Sequence, residues 1–293
     1  MKRQMIMKKK NLLLLAPITL SAALFLGYRS WDGIRTDKTP PQISISEEAL
    51  QVSVSDPKSA LLQGITAKDD RDGDVTGSLV VERISMVDHS GTIEVTLAAF
   101  DHSGNVAKAT RTAQYTDYKS PRFSLNQPLL FAYGSSFDLL AAVSANDPLD
   151  GNIQHRVRAT SLDDTAVTTS GDHQVEFRVT NSLGETVRLT LPVTVYTAGN
   201  YGLDVSLSQY MIYLKTSSTF NARSYLKEVR RGLNEVSFEN GTPENYSVRI
   251  TGEVNTAVPG VYPVDYTVTY VQQTAAGTNY ITGISRLIVV VEG

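Results

Sequence analysis

The chain of 293 residues contains no cysteine. A protein exported with this sequence therefore has no disulfide bonds, no lipid attached through an amino-terminal cysteine and no thiol chemistry, so its domains depend on packed apolar cores.

Glycine-rich phosphate loops and nucleophile elbows are also missing. The few histidines do not pair at metal-ligand spacing; they are His89, His102, His155 and His173. Asp101, His102 and Ser103 are adjacent on a turn and cannot relay a proton. We predict that the protein is not an enzyme.

Acidic residues are absent from the first ten positions, which carry five basic residues. Without those five charges, the formal charge of −3 becomes −8 for the rest of the chain. Such an acidic remainder argues against nucleic acid as a partner.

Charge is also absent from Leu12 to Tyr28, a run near the lower length limit for a membrane-spanning helix. We predict a cytoplasmic basic segment at 1–10, a transmembrane anchor at 11–30 and a linker at 31–40. Tyr28 and Trp31 would lie at the membrane interface, and the domains beyond about Gly33 would be extracellular, with the chain in the cell membrane as a single-pass protein. A cleaved signal peptide is the alternative, and the sequence leaves it open.

Two motifs recur about eighty residues further along the chain. DRDGDVT begins at Asp70 and returns as DPLDGNI from Asp147, and DHSGN begins at Asp101 and returns as NSLGE from Asn181. A near-constant offset indicates one folded unit used at least twice.

Short alternating runs separated by turn signals predict antiparallel strands. The clearest run, Val261 to Tyr270, puts Tyr262, Tyr266 and Tyr270 on one face with valines, and we interpret this face as core. By contrast, 221–232 reads as a short helix with Tyr225, Leu226 and Val229 inward and Gly232 as its end. We predict an all-β protein of three tandem immunoglobulin-like (Ig-like) β-sandwich domains at 41–118, 119–198 and 199–293, the last being divergent.

These motifs resemble bacterial Ig-like domains that occur in tandem on surface proteins. The resemblance rests on DGDVT, DxSGN and the closing Asp117, and on GEVNTAVPGVYPVDYTVTY from Gly252, and it covers roughly Pro40 to Gly293. The repeated units resemble the type called Ig-like group 3 or a domain of unknown function. This resemblance implies Ig-like sandwiches on a cell-surface protein.

The acidic loop around Gly73 is a candidate Ca²⁺ site, since calcium binds six to eight oxygen ligands. Its carboxylates are Asp69, Asp70, Asp72 and Asp74, with Asp101 as a distant ligand. The spacing is not that of the twelve-residue calcium loop. The alternative is a glycine turn whose aspartates accept hydrogen bonds from nearby amides. The later copy has fewer carboxylates, so a metal there is less expected.

A basic group on the predicted helix is a candidate partner-binding surface for an anionic polymer or lipid. Its members are Arg223, Lys227, Arg230 and Arg231. We expect a non-enzymatic, membrane-anchored extracellular repeat protein that serves as an adhesion or binding stalk for an unknown extracellular protein or glycan. The alternative is an accessory subunit of a membrane-embedded envelope complex, for polymer synthesis or export. Small residues from Ser21 to Ala23 would then let its anchor pack against a partner helix.

Overall fold

In a computed structural model, the structure describes residues 20–28, 37–46, 49–85, 87–163, 166–197, 199 and 201–293. The chain forms two compact units, Met1–Asp117 and Tyr118–Gly293. Residues 20–28 are helical, whereas the rest of the predicted anchor and most of the predicted linker lie outside the described residues. Among the residues described, no helix is both long enough and apolar enough to span a membrane.

The first unit contains the first sandwich, which has one three-stranded and one four-stranded sheet. Its strands are β1 (Gln42–Ile45), β2 (Leu50–Val52), β3 (Ile65–Asp69), β4 (Gly73–Asp74), β5 (Val80–Ile84), β6 (Thr92–Phe100) and β7 (Val106–Tyr115). The sheet orders are β1-β3-β4 and β2-β7-β6-β5. Two 3₁₀ helices, Lys58–Leu62 and Thr76–Ser78, lie in the connections.

The second unit contains two further sandwiches. The second sandwich has β8 (Arg122–Leu125), β9 (Leu130–Ala132), β10 (Val143–Asp147), β11 (Gly151–Asn152), β12 (Arg158–Ser161), β13 (Gly171–Thr180) and β14 (Thr186–Tyr196), with a 3₁₀ helix at Gln154–Arg156. The third has β15 (Asp204–Leu207), β16 (Met211–Lys215), β17 (Leu226–Arg231), β18 (Asn234–Ser237), β19 (Tyr246–Thr251), β20 (Gly260–Thr274) and β21 (Gly277–Glu292), with a 3₁₀ helix at Ala222–Tyr225.

Strand order is the same in all three sandwiches. The second sandwich has sheets β8-β10-β11 and β9-β14-β13-β12, and the third has β15-β17-β18 and β16-β21-β20-β19. In each one, the second strand pairs in parallel with the last, and the other pairings are antiparallel. This arrangement confirms an all-β fold of tandem β-sandwiches, and the Ig-like assignment stays a prediction. The domain boundaries taken from the sequence remain predictions.

Alternating apolar residues build the cores because successive strand side chains point to opposite faces. On β20, Val264, Tyr266 and Val268 are fully buried, while Tyr262 and Tyr270 pack partly buried against the same core. The prediction that this tyrosine face is core is therefore confirmed. The Tyr266 hydroxyl donates to the carbonyl of Ala222 at 2.6 Å, which satisfies the polar end of a buried ring.

A continuous seam joins the second and third sandwiches within their unit. Met211, Ile288 and Val290, from the third sandwich, belong to the buried core of the second. Arg286, itself 9% exposed, donates to Asp265 at 2.6 Å and to Thr194 across the seam at 2.8 Å. Apolar burial and buried polar contacts therefore both hold this junction.

Ion pairing and a buried phenol extend the same seam. Arg122 donates to both carboxylate oxygens of Glu292, at 2.7 and 2.6 Å, and its guanidinium lies 4.7 Å from the centre of the Tyr213 ring. The Tyr213 hydroxyl bonds to the backbone of Phe123, and burial raises the pKa of this hydroxyl to about 12. These residues come from both sandwiches, so the two pack as one body.

The predicted helix at 221–232 is wrong except for one 3₁₀ turn. Residues from Leu226 onward form β17, which pairs with β15 and β18. Gly232, at φ 59°, is the first residue of a two-residue hairpin turn and does not end a helix. The expected inward positions of Leu226 and Val229 are confirmed, because both are buried. Over this short run the apolar residues fit both a helical and a strand period, and pairing with neighbouring strands selected the strand.

Candidate metal centre

A tight turn between β3 and β4 carries the first carboxylates. Asp69 pairs with Gly73 across the turn, and Gly73 has φ 73°, a conformation that glycine adopts without steric cost. The Asp69 Oδ1 atom accepts from the amides of Arg71 and Asp72, both at 2.9 Å. One carboxylate oxygen of Asp69 is therefore used to hold the turn together.

The turn between β6 and β7 brings Asp101 to the same end of the sandwich. Asp101 Oδ1 accepts from the Asn105 amide at 2.7 Å, and its Oδ2 accepts from the Asn105 side chain at 2.7 Å. Burial pushes the pKa of Asp101 up, but the hydrogen bonds from Asn105 and its neighbours outweigh burial, so this pKa lies below its ordinary value. The His102 amide donates to Asp72 Oδ2 at 2.8 Å and links the two turns.

Asn105 also fixes the lead-in segment, residues 37–41, which precedes β1. Its side-chain amide donates to the carbonyls of Asp37 and Thr39, at 3.1 and 3.4 Å. Asp37 Oδ1 in turn accepts from the Thr39 amide at 2.9 Å. This geometry places the Asp37 carboxylate beside the acidic turn.

Five carboxylates consequently meet in two groups that share Asp69. The first group contains one carboxylate oxygen from each of Asp37, Asp69 and Asp70, and these three oxygens lie within 4.8 Å of one another. The second group contains one oxygen from each of Asp69, Asp72 and Asp101, and the same limit holds within it. Asp37 is 6% exposed, and Asp69 and Asp101 are each 8% exposed. Among the described residues, no hydrogen-bond donor reaches Asp37 Oδ2 or Asp69 Oδ2.

The structure thus assembles four of the five carboxylates proposed from the sequence. Asp74 does not join them: it is exposed, and its Oδ1 accepts from the Thr76 amide. The hydrogen bonds of Thr76 lower the pKa of Asp74. Asp37 was missed because it lies thirty-two positions before Asp69 in a proline-marked connector, where the sequence carries no acidic pattern.

At the same place in the second sandwich, a side-chain amide takes the position of one carboxylate. Asp147 Oδ1 accepts from the amides of Leu149 and Asp150, at 2.8 and 2.9 Å, as Asp69 Oδ1 does in the first sandwich. Its Oδ2, however, accepts from the Asn181 side chain at 3.1 Å. Asn181 occupies the position of Asp101, and it also donates to the Tyr118 hydroxyl at 2.9 Å.

The remaining acidic groups of the second sandwich also have donors. Asp150 Oδ2 accepts from the Ser182 amide and from Arg156, both at 2.6 Å. Glu185 accepts from the hydroxyls of Tyr118 and Ser120. Burial and the Glu185 carboxylate raise the pKa of Tyr118, which keeps this hydroxyl a donor. The described part of the second sandwich has no group of three clustered carboxylates.

The four basic residues proposed as a partner site do not share one face, since their helix is a strand. Each has a partner inside the third sandwich. Arg223 donates to Thr242 at 2.8 Å, Lys227 pairs with Glu228, Arg230 pairs with Glu235, and Arg231 donates to Gln272 and stacks over Tyr270.

Comparison with known proteins gives distant structural likenesses. No protein-family model matches the chain, and no curated protein matches it. A carbohydrate-binding module 51 structure with GlcNAc from Clostridium perfringens ZmpB is 13% identical, with 85% of this chain and 44% of that chain covered and a TM-score of 0.21. Human CDH23 EC21-23 is 13% identical, with 86% of this chain and 100% of that chain covered and a TM-score of 0.22.

A lipoprotein from Bacteroides thetaiotaomicron is 12% identical, with 57% of this chain and 100% of that chain covered and a TM-score of 0.22. The chain spans less than half the length of the ZmpB structure that it matches. At these TM-scores the likenesses carry no argument about function. The sandwich fold is established by the strand order of this chain itself.

Proposed function

We propose that this chain is a non-enzymatic, membrane-anchored bacterial surface protein of the Ig-like group 3 type. Its tandem sandwiches would act as a stalk that holds a binding surface for an extracellular protein or glycan away from the membrane. The amino-terminal segment would lie in the cytoplasm and the sandwiches outside the cell.

The seam between the second and third sandwiches is the observation that supports a stalk. A spacer must keep its outer domain at a fixed position, and a flexible linker does not do so. Here three third-sandwich side chains complete the core of the second sandwich, and Arg286 is held in the seam by Asp265 and Thr194. A shared core of this kind resists hinge motion, which supports a load-transmitting role.

Protease treatment of intact cells tests the topology. We expect an epitope tag placed after Gly293 to be removed by external protease from cells that express the full chain, while a fragment with the amino terminus stays in the membrane fraction. A tag that external protease removes only after lysis would contradict the proposal.

Adhesion assays test the stalk itself. We expect the double variant Arg122→Ala, Arg286→Ala, compared with wild type in cells that display equal amounts of protein at the surface, to support weaker binding of cells to immobilised glycans or matrix proteins. The matched control is Arg249→Ala, an exposed arginine on β19. Equal adhesion of wild type, control and double variant would argue against a rigid stalk.

The third sandwich remains our proposed position for the binding surface, with its four basic residues as candidates. Lys227 and Arg230 each expose half of the side chain despite their ion pairs. Exposed pairs of this kind are worth only ~0.2–1 kcal/mol, so an anionic ligand could displace them. Binding that survives simultaneous replacement of Arg223, Lys227, Arg230 and Arg231 by alanine would eliminate this candidate.

A further inference from the structure

We propose that the first sandwich binds one Ca²⁺ ion among Asp37, Asp69, Asp70, Asp72 and Asp101, and that this ion fastens the lead-in segment to the sandwich. The inference does not depend on the proposed stalk function. It includes Asp37, which no sequence motif indicates, and it leaves out Asp74.

The first argument is the state of two buried carboxylates. Asp37 and Asp69 are each more than nine-tenths buried, and each has one oxygen that no donor from the described part of the chain reaches. A buried acceptor without a partner destabilises the fold, and it does so more strongly when it is charged. Both residues belong to the carboxylate groups described above, so a cation placed there would satisfy both oxygens.

The second argument is the matching place in the second sandwich. Both sandwiches use the same turns and the same amide contacts to Oδ1 of Asp69 and of Asp147. One difference bears directly on the Oδ2 oxygen: Asn181 donates to Asp147 Oδ2, whereas Asp101, at the corresponding position, has no hydrogen to donate. The second sandwich therefore satisfies this oxygen with a protein donor, and the first requires a positive charge from elsewhere.

The chemistry of the donor set selects the ion. All five side chains offer carboxylate oxygens, which are the ligands of Ca²⁺ and Mg²⁺, whereas the softer transition metals favour nitrogen and sulfur. Calcium accepts irregular shells of six to eight oxygens and carboxylates that bind through one or two atoms, while Mg²⁺ demands near-ideal octahedral geometry. Ligands from three separate chain segments suit the larger and more permissive ion.

The fastening role follows from where Asp37 lies. Hydrogen bonds from Asn105 to the carbonyls of Asp37 and Thr39 link the described lead-in segment to the acidic turns. An ion shared by Asp37 and Asp69 would add a second, stronger link between residues that are distant in sequence. In the second sandwich, the hydroxyls of Tyr118 and Ser120 make the corresponding link to Glu185.

Titration of the full chain with CaCl₂ tests the site. The protein is purified in mild detergent, stripped with EDTA and studied by isothermal titration calorimetry and thermal unfolding. We expect one ion per chain, with a dissociation constant at or below ~1 mM, the range of extracellular calcium modules, and a weaker response to MgCl₂. No heat and no shift of the melting temperature at 5 mM CaCl₂, a test concentration at least about fivefold above that range, would overturn the proposal.

Two substitutions separate metal binding from simple structural damage. Asp69→Asn should weaken calcium binding at least ~10-fold, because affinity depends on ligand charge. Asp101→Asn should also weaken calcium binding, and because it loses the hydrogen bond that Asp101 Oδ2 accepts from the Asn105 side chain, its melting temperature in EDTA is measured alongside to separate lost folding from lost binding. Asp74→Asn is the control in the same loop, and its calcium response should equal that of the wild type. Unchanged binding by Asp69→Asn would overturn the site.

Hydrogen exchange tests the fastening role. Calcium should slow exchange of the Lys38 and Thr39 amides in the wild type and not in Asp69→Asn. Calcium binding without such slowing would refute the fastening role, even if the ion is bound. A melting temperature that responds to pH and not to calcium would show that the carboxylates share a proton, which would refute the metal site.

Discussion

The strongest test of how these acidic turns work is Asn181→Asp in the second sandwich. This change gives the second sandwich the residue type that the first has at Asp101. Asn181 is 4% exposed and its partner Asp147 is 1% exposed. Asn181 accepts from the amides of Leu183 and Glu185, and these contacts survive the change, but the bonds that it donates to Asp147 Oδ2 and to the Tyr118 hydroxyl are lost.

The expected cost combines an orphaned acceptor with a buried like-charge pair. An unsatisfied buried acceptor costs about 1–3 kcal/mol. Asp147 Oδ2 lies 3.1 Å from the Asn181 amide nitrogen, so two ionised carboxylates would nearly touch. This repulsion raises the pKa of the new carboxyl group, and each pKa unit lowers the unfolding free energy by about 1.4 kcal/mol at neutral pH. We expect a total of about 3–5 kcal/mol, which corresponds to a loss of roughly 10 °C in the melting temperature of a unit of this size.

The pH dependence follows from the sign of that shift. A carboxyl whose pKa is raised in the folded state destabilises the protein fully above the folded pKa, and the penalty disappears as the pH falls to the ordinary value of about 4. Urea unfolding between pH 4.5 and 7.5 should therefore show a difference from wild type that shrinks toward acid. The control is Asn152→Asp, the same change at an exposed position. If the unfolding free energies of the variant and the wild type differ by less than about 0.5 kcal/mol at neutral pH, the reasoning is refuted, since surface substitutions already change this free energy by that much.

Three further predictions concern the second unit. Tyr266→Phe removes the hydrogen bond to the Ala222 carbonyl and should lower the unfolding free energy by about 1–2 kcal/mol in a urea titration. Arg286→Ala removes the hydrogen bonds to Asp265, a carboxylate that is 43% exposed, and to Thr194, and should cost about 1–3 kcal/mol, measured the same way. Burial raises the pKa of Asp150, but the hydrogen bonds of Ser182 and the contact with Arg156 outweigh burial, so this pKa is below its ordinary value of 3.8. The ionised Asp150 carboxylate stabilises the fold fully above pH 3.8, and this stabilisation is lost as the pH falls toward the pKa in the folded state. We therefore expect Asp150→Asn to make the acid unfolding curve, measured by circular dichroism, less steep.

Matched controls use exposed residues of the same types. Tyr133→Phe, Arg249→Ala and Asp204→Asn should each change the unfolding free energy by less than about 0.5 kcal/mol. If Tyr266→Phe or Arg286→Ala behaves like its control, the corresponding hydrogen bonds do not stabilise the fold. An acid unfolding curve for Asp150→Asn that superimposes on the wild-type curve would contradict the assigned pKa shift.

The sequence by itself determined the strand pattern and the repeat. Successive side chains of a strand point to opposite faces of the sheet, so the sequence alone predicts that Val264 and Tyr266 lie on the same face. The tight turns were also readable, because Gly73 and the flanking aspartates satisfy local backbone requirements within a few residues. Local rules of this kind predicted the tandem sandwiches and four members of the carboxylate cluster.

Only the tertiary structure decided the rest. Leu226 to Arg231 could satisfy either a helical or a strand period, and pairing with β15 and β18 chose the strand. The absence of cysteine left packing to stabilise the chain, but the sequence did not indicate that third-sandwich residues complete the core of the second. Asp37 is far from the acidic turn in sequence and joins it through Asn105, and a contact between distant segments leaves no local pattern to read. Membership of the proposed calcium site therefore depends on the fold and not on the motif alone.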